Sequence, residues 1–240
     1  GAWTLKVPKD KWRAMLLGTV FYNTGNFSMP LQSFAWRDTA YAHPAMGMQA
    51  FIMVGQNLIH FSWGVLLAAG SGARWRQQVQ TIATFPPLWA GILGVAVVAF
   101  RENVPPDVWR TTTYAFRPFW DVVDMARQSF MAIALVAMGA QIASVEPGMR
   151  DRAVLWSVAT RNVASPLIGL VCAWALGLRG PTAQILVISA AAPSAVNSVL
   201  LSLQFKNHPD TVARTVFAST ILSPLTTTLV VWAAQSGMLV

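Results

Sequence analysis

Two short runs in this sequence combine amide side chains with residues that interrupt helices. One is Tyr22-Asn23-Thr24-Gly25-Asn26-Phe27-Ser28-Met29-Pro30, and the other is Ser189-Ala190-Ala191-Ala192-Pro193-Ser194-Ala195-Val196-Asn197-Ser198. Pro30 removes an amide donor and obstructs the carbonyl four residues earlier, at Asn26, and Pro193 followed by Asn197 repeats that logic. The chemistry such residues offer is binding. A half-helix that begins at a break carries roughly half a positive charge and several free amides, enough to hold a carboxylate without an arginine.

Other polar residues fall into stripes. Gln49, Gln56 and His60 are separated by 7 and 11 residues, which at about 100° per residue puts all three on one narrow face of a helix. Gln56 and His60 are second candidates for contact with a bound molecule, and His60 is read first as a hydrogen-bonded packing residue. Thr215, Ser219, Ser223 and Thr226, with a kink expected at Pro224, are read as helix-packing hydroxyls ahead of cavity lining. His60 with Ser189 or Ser194 would be the residues of an intramembrane enzyme, but no nucleophile-plus-base motif surrounds them, so the chain is read as a non-enzyme. No cofactor or metal ligand set is expected. Cys172 is the single cysteine and is read as a small buried hydrophobe.

The elements that must carry these residues follow from composition. Of the 240 residues, 55% are hydrophobic and only 11% charged, with a mean hydropathy of +0.48, against roughly a quarter charged in soluble domains. A soluble fold is not expected, and the +8 net charge does not point to nucleic acid, because the basic residues are scattered singly between apolar stretches. A bilayer core about 30 Å thick needs about 20 residues of helix. Seven such stretches are predicted, at 12–34, 46–70, 80–100, 122–143, 153–178, 181–205 and 211–236. The third has Pro86 and Pro87 in what would be its first turn, and the connection at 101–121 reads as an ordered external loop or short surface helix.

Basic residues accumulate on the cytoplasmic side of a membrane. Alternate connections hold ten Lys and Arg on the side of the N-terminus and five on the other, which predicts a multi-pass protein of the cell membrane with its N-terminus in the cytoplasm and its C-terminus outside. Arg127 and Arg161 lie within or beside spans and are expected to snorkel to an interface. No acidic residue falls at the centre of a span, which argues against a mid-membrane carboxylate relay. The sequence opens on Gly1 in place of a methionine and is expected to lack its natural beginning.

Two interrupted spans of this kind point to a transporter site at the bilayer midplane. The motifs are also familiar as a set. Asn23-Thr24-Gly25-Asn26 with Met29-Pro30, Ala192-Pro193-Ser194-Ala195-Val196-Asn197 and Ala137-Met138-Gly139-Ala140-Gln141 resemble the two crossovers and a small-residue segment of the auxin efflux carrier family. Its bacterial members include malate and malonate carriers. The resemblance covers about residues 12–236, although Phe27-Ser28-Met29 stands where small or aliphatic residues are usual.

The resemblance implies an all-α integral membrane fold: ten helices in two inverted repeats of five, related to bile-acid:sodium symporters, with the fourth and ninth helices broken and crossing. The present seven spans would be helices four to ten. Residues 1–70 would close the first repeat, 71–79 would be a cytoplasmic connection, and 80–240 would form the second. The implied function is a carrier of small organic anions by alternating access. Asn23, Asn26 and Asn197 would donate to the substrate, Gly25 would let backbone approach it, and Pro30 and Pro193 would hold the breaks open. The partners would be the anion and the lipid bilayer, with no nucleic acid; a homodimer is compatible with the family. The alternatives are a sodium-coupled symporter of the bile-acid type and a non-transporting truncated fragment.

Overall fold

The computed structural model describes residues 7, 11–69, 80, 83, 86–143 and 151–238. They form α1 (Trp12–Val20), α2 (Met29–Trp36), α3 (Ala42–Ile59), α4 (Val65–Ala69), α5 (Pro86–Asn103), α6 (Pro106–Ala115), α7 (Arg117–Ala143), α8 (Arg152–Ala159), α9 (Ser165–Ala175), α10 (Gly180–Ala190), α11 (Asn197–Gln204) and α12 (Pro209–Gln235), with no strand among the described residues. Single π turns at Thr24–Ser28, His60–Gly64 and Thr160–Ala164 lead into α2, α4 and α9.

All seven predicted stretches are helical over most of their length. Three continuous runs, Ala42–Ala69, Arg152–Ala175 and Pro209–Gln235, are long and apolar enough to cross a membrane, at 28, 24 and 27 residues. The stretches at 12–34 and 181–205 are each split in two, as their Asn, Gly and Pro content requires. Pro86 opens α5 and α6 is the short helix expected in the longest connection, whereas the 71–79 connection lies outside the described residues.

The packing is inverted relative to a soluble protein, and this decides which way each helix faces. On the run Arg152–Ala175, Leu155, Val163, Leu167, Val171 and Trp174 point outward, the last 80% exposed, while Ser157, Arg161 and Asn162 are buried. On α12, Ile221, Leu225, Leu229 and Trp232 face out and Thr215, Ser219, Ser223 and Thr227 face in. Such an apolar exterior is stable against lipid, and the inward hydroxyls satisfy themselves locally: Thr215 donates to Thr211 O and Thr227 to Ser223 O. Pro224 lies inside α12, which continues through it. The carbonyl a proline leaves without its usual partner lies four residues earlier, at Thr220, and the Ser223 hydroxyl donates to it at 2.7 Å. Of the four hydroxyls read as packing groups, Thr215, Ser219 and Ser223 are buried in the bundle, whereas Thr226 lines a separate cavity of about 290 Å³.

Two sequence expectations are corrected. Cys172 is exposed, because it lies four residues after outward-facing Ile168 on the apolar face. Arg161 does not snorkel; it is buried at 4% exposure, because backbone carbonyls at the two helix breaks bind it.

Close approach depends on small residues. A Cβ at Gly169 would lie 2.7 Å from the Ala190 Cβ, at the α9–α10 contact. Neither group can rotate away, so Gly169→Ala is expected to cost about 1–3 kcal/mol, read as a lowered midpoint of thermal unfolding in detergent.

At the other end of α8, Asp151 caps the helix by accepting from the Ala153 amide at 2.9 Å and pairs with Lys11 Nζ at 3.0 Å. Burial works to raise the Asp151 carboxyl, but the Lys11 hydrogen bond, the Ala153 amide and the charges of Lys11 and Arg214 outweigh it and hold the group below the usual carboxylate range. A folded value below the unfolded one gives stabilisation that is present above about pH 4 and is lost as pH falls through the folded value. Asp151→Asn keeps a capping side chain without the charge. It should be less stable than wild type at pH 7, by the roughly 0.2–1 kcal/mol of a partly exposed pair, and the difference should narrow as pH falls below about 4.

Candidate functional site

Each interrupted span leaves carbonyls at the end of one half-helix and amides at the start of the next without helical partners. In a low-dielectric interior such groups must be paired. The two breaks pair with each other. Phe21 is extended after α1, the Asn23 amide donates to Pro193 O at 2.8 Å, and the Ala195 amide donates to Phe21 O at 2.9 Å. This is an isolated antiparallel bridge between Tyr22 and Ser194.

The remaining groups are taken up by side chains from neighbouring helices. Gln49 Nε2 donates to Thr24 O at 3.0 Å and Gln56 Nε2 to Tyr22 O at 2.9 Å. The two glutamines of the α3 stripe therefore each give a donor to the first break. Ser219 Oγ accepts from the Ser194 amide at 3.1 Å, and Ser198 donates to Leu17 O at 3.0 Å. Arg161 reaches Thr19 O, Val20 O and Ala190 O at 3.2, 3.3 and 2.8 Å, with its guanidinium 4.9 Å from the centre of the Tyr22 ring.

The paired breaks form one wall of a cavity of about 770 Å³. Asn23, Gly25, Asn26, Asn197 and His60 line it, together with Tyr22, Met29, Ser33, Met46, Met53, Asn57 and, from α7, Val123, Ala126, Arg127 and Gln128. Of the residues singled out in sequence, Pro30, Pro193 and Gln56 stand behind this wall. Pro30 is in the first turn of α2, and Pro193 supplies the carbonyl that Asn23 binds. A Cβ at Gly25 would meet only Met53 Sδ, at 3.5 Å.

Asn23 has a double part. Its Oδ1 accepts from the Asn26 amide at 3.1 Å, which caps the π turn. Its Nδ2 is buried and has no partner, although the residue is 7% exposed and lines the cavity. A buried donor without a partner at a cavity wall has a hydrogen bond left to give, to water or to a bound molecule.

His60 stacks on Phe21, centroids 4.1 Å apart and planes 2° from parallel, and its Nε2 lies 3.2 Å from Ser198 Oγ. Since Ser198 donates its proton to Leu17 O, it accepts from His60, which fixes the Nε2–H tautomer. That arrangement provides no base for a serine nucleophile at Ser198, and the hydrogen bond joins His60 to neither Ser189 nor Ser194.

The methionines and the α7 residues escaped sequence reading, because apolar residues on long helices look alike whether they face lipid, protein or a cavity. Arg127 offered a signal as a charge inside a predicted span. It lines the cavity and pairs with Asp124 at 2.7 Å.

The scaffolding role of α3 is testable. Gln49→Leu leaves the buried Thr24 carbonyl without its donor, and a loss of about 1–3 kcal/mol is expected, read as a lowered unfolding midpoint in detergent micelles.

A family model described as membrane transport protein matches residues 75–231. An uncharacterized transporter of Methanothermobacter thermautotrophicus is 26% identical over 173 residues, covering 72% of this chain and 53% of the relative. An uncharacterized transporter of Methanocaldococcus jannaschii is 21% identical over 242 residues, covering 97% of this chain and 71% of the relative. The chain thus spans about half the length of the first of these relatives.

Proposed function

We propose, because the chain belongs to the membrane transport protein family, that it forms part of a secondary carrier for small organic anions, auxin-like or dicarboxylic acids, working by alternating access around its two helix breaks. The observation that carries this reading is the buried, unpartnered Asn23 Nδ2 at the cavity wall. Asn26 and Asn197 line the same cavity. Three amide side chains with no carboxylate among them are suited to an anion, since carboxamide donors stay neutral and need no counter-charge.

The half-helices add to this. The run Thr24–Trp36 and α11 both begin at the breaks, so their positive ends lie beside the asparagines, where a carboxylate is favoured. Movement of the paired breaks against the α7 wall would open the cavity alternately to the two sides. In this reading the seven helical stretches are helices four to ten of a ten-helix inverted repeat, with the N-terminus of this chain in the cytoplasm.

The test is uptake of labelled malate, malonate and indole-3-acetate by the full-length carrier in proteoliposomes. Asn26→Ala with Asn197→Ala is expected to lower uptake at least tenfold, because a hydrogen bond to a charged group is worth about 1.5–3 kcal/mol. Unchanged uptake in the double variant would defeat the site assignment, and strict dependence on sodium would favour the cation-coupled alternative.

A further inference from the structure

Arg161 carries a charge that the site reading leaves unused. It is 4% exposed, and among the described residues no carboxylate lies within ion-pair distance of it, since the ion pairs are Lys11–Asp151, Arg37–Asp38 and Arg127–Asp124. A buried arginine without an acid is costly unless something else supplies negative potential. Here that potential comes from backbone. Thr19 O and Val20 O close α1, Ala190 O closes α10, and the guanidinium fork donates to both ends at once. Asn162, the next residue, anchors the same turn by donating to Ser219 O at 3.0 Å.

The electrostatics of a broken helix make this placement consequential. A break sets a negative C-terminal end beside a positive N-terminal end, and each carries about half a charge. Two breaks side by side hold two of each, so their fields largely cancel for any ligand nearby. One guanidinium bound to both C-terminal ends removes about one negative charge from that balance. The positive ends at Thr24 and Asn197 are then left to act on the cavity, where the unpartnered Asn23 Nδ2 marks the place a ligand acceptor would occupy.

We propose that Arg161 is a positioning residue for the anion site: by neutralising the C-terminal ends of α1 and α10 together, it frees the positive ends of the second half-helices to bind substrate charge. The inference rests on the anion-carrier reading above. It adds a charge requirement at a residue that does not line the cavity, with Tyr22 interposed between the guanidinium and the ligand space.

The experiment measures affinity of the full-length carrier in nanodiscs for malonate, a dianion at pH 7.5, and for malonamate, a monoanion of the same shape, with Arg161→Gln and Arg161→Lys beside wild type. Removing a unit charge several ångströms from the site should weaken malonamate on the order of tenfold, and malonate at least threefold more than that. Arg161→Lys keeps the charge but has no fork to reach both helix ends, so its losses should be intermediate, again larger for malonate. If Arg161→Gln does not fold, the lysine variant is read alone against the same criterion. Equal losses for the two anions, or none, would overturn the inference and leave the anion reading standing. A folded wild-type carrier that binds neither anion would overturn the inference, and one that also takes up neither malate nor indole-3-acetate would overturn the anion reading with it.

Discussion

The structure depends on one constraint: backbone groups released by a broken helix must find partners where no water can supply them. The chain meets it by setting its two breaks against each other, so that the Asn23 amide and Pro193 carbonyl, and the Ala195 amide and Phe21 carbonyl, replace the helical bonds that Pro and Gly remove. Each break draws on the other for a backbone partner. Their mutual pairing fixes where α1, α2, α10 and α11 lie, and thereby which residues face the cavity.

That pairing satisfies only part of the released backbone, and the rest explains the buried polar residues around it. Gln49 and Gln56 serve the first break, Ser219 the second, and Arg161 the carbonyl ends of both. Polar side chains among the described interior residues are mostly partners of main chain, and this separates the residues that hold the breaks from those that line the cavity. Gln56 has its donor committed to Tyr22 O and lies outside the cavity lining, whereas Asn23 keeps a donor uncommitted within it. Two residues of the same chemical type thus have different parts, set by what each already binds.

The π turns belong to the same economy of partners. The turn at His60–Gly64 places His60 between Phe21 and Ser198, with Gly64 so close that a Cβ there would come within 2.8 Å of the His60 ring. The turn at Thr160–Ala164 presents Arg161 to one pair of carbonyl ends and Asn162 to α12. Local widening of a helix is a known way to aim a side chain that regular geometry would turn elsewhere.

The sequence by itself determined the membrane class of the fold, the position of both breaks and the asparagines beside them, because composition, span length and helix-breaking residues are local properties that need no neighbour to interpret. It also identified the inward stripe of Gln49, Gln56 and His60 from spacing alone. Tertiary structure decided what those residues bind. Arg161 read as a snorkelling charge because its partners are carbonyls 142, 141 and 29 residues away, and main-chain oxygens leave no mark in a sequence. Cys172 read as buried because an apolar neighbourhood means burial in water but exposure in lipid. The cavity, with its methionines and its α7 wall, exists only once helices distant in the chain are packed together, since the side of a helix that faces empty space is a property of its neighbours.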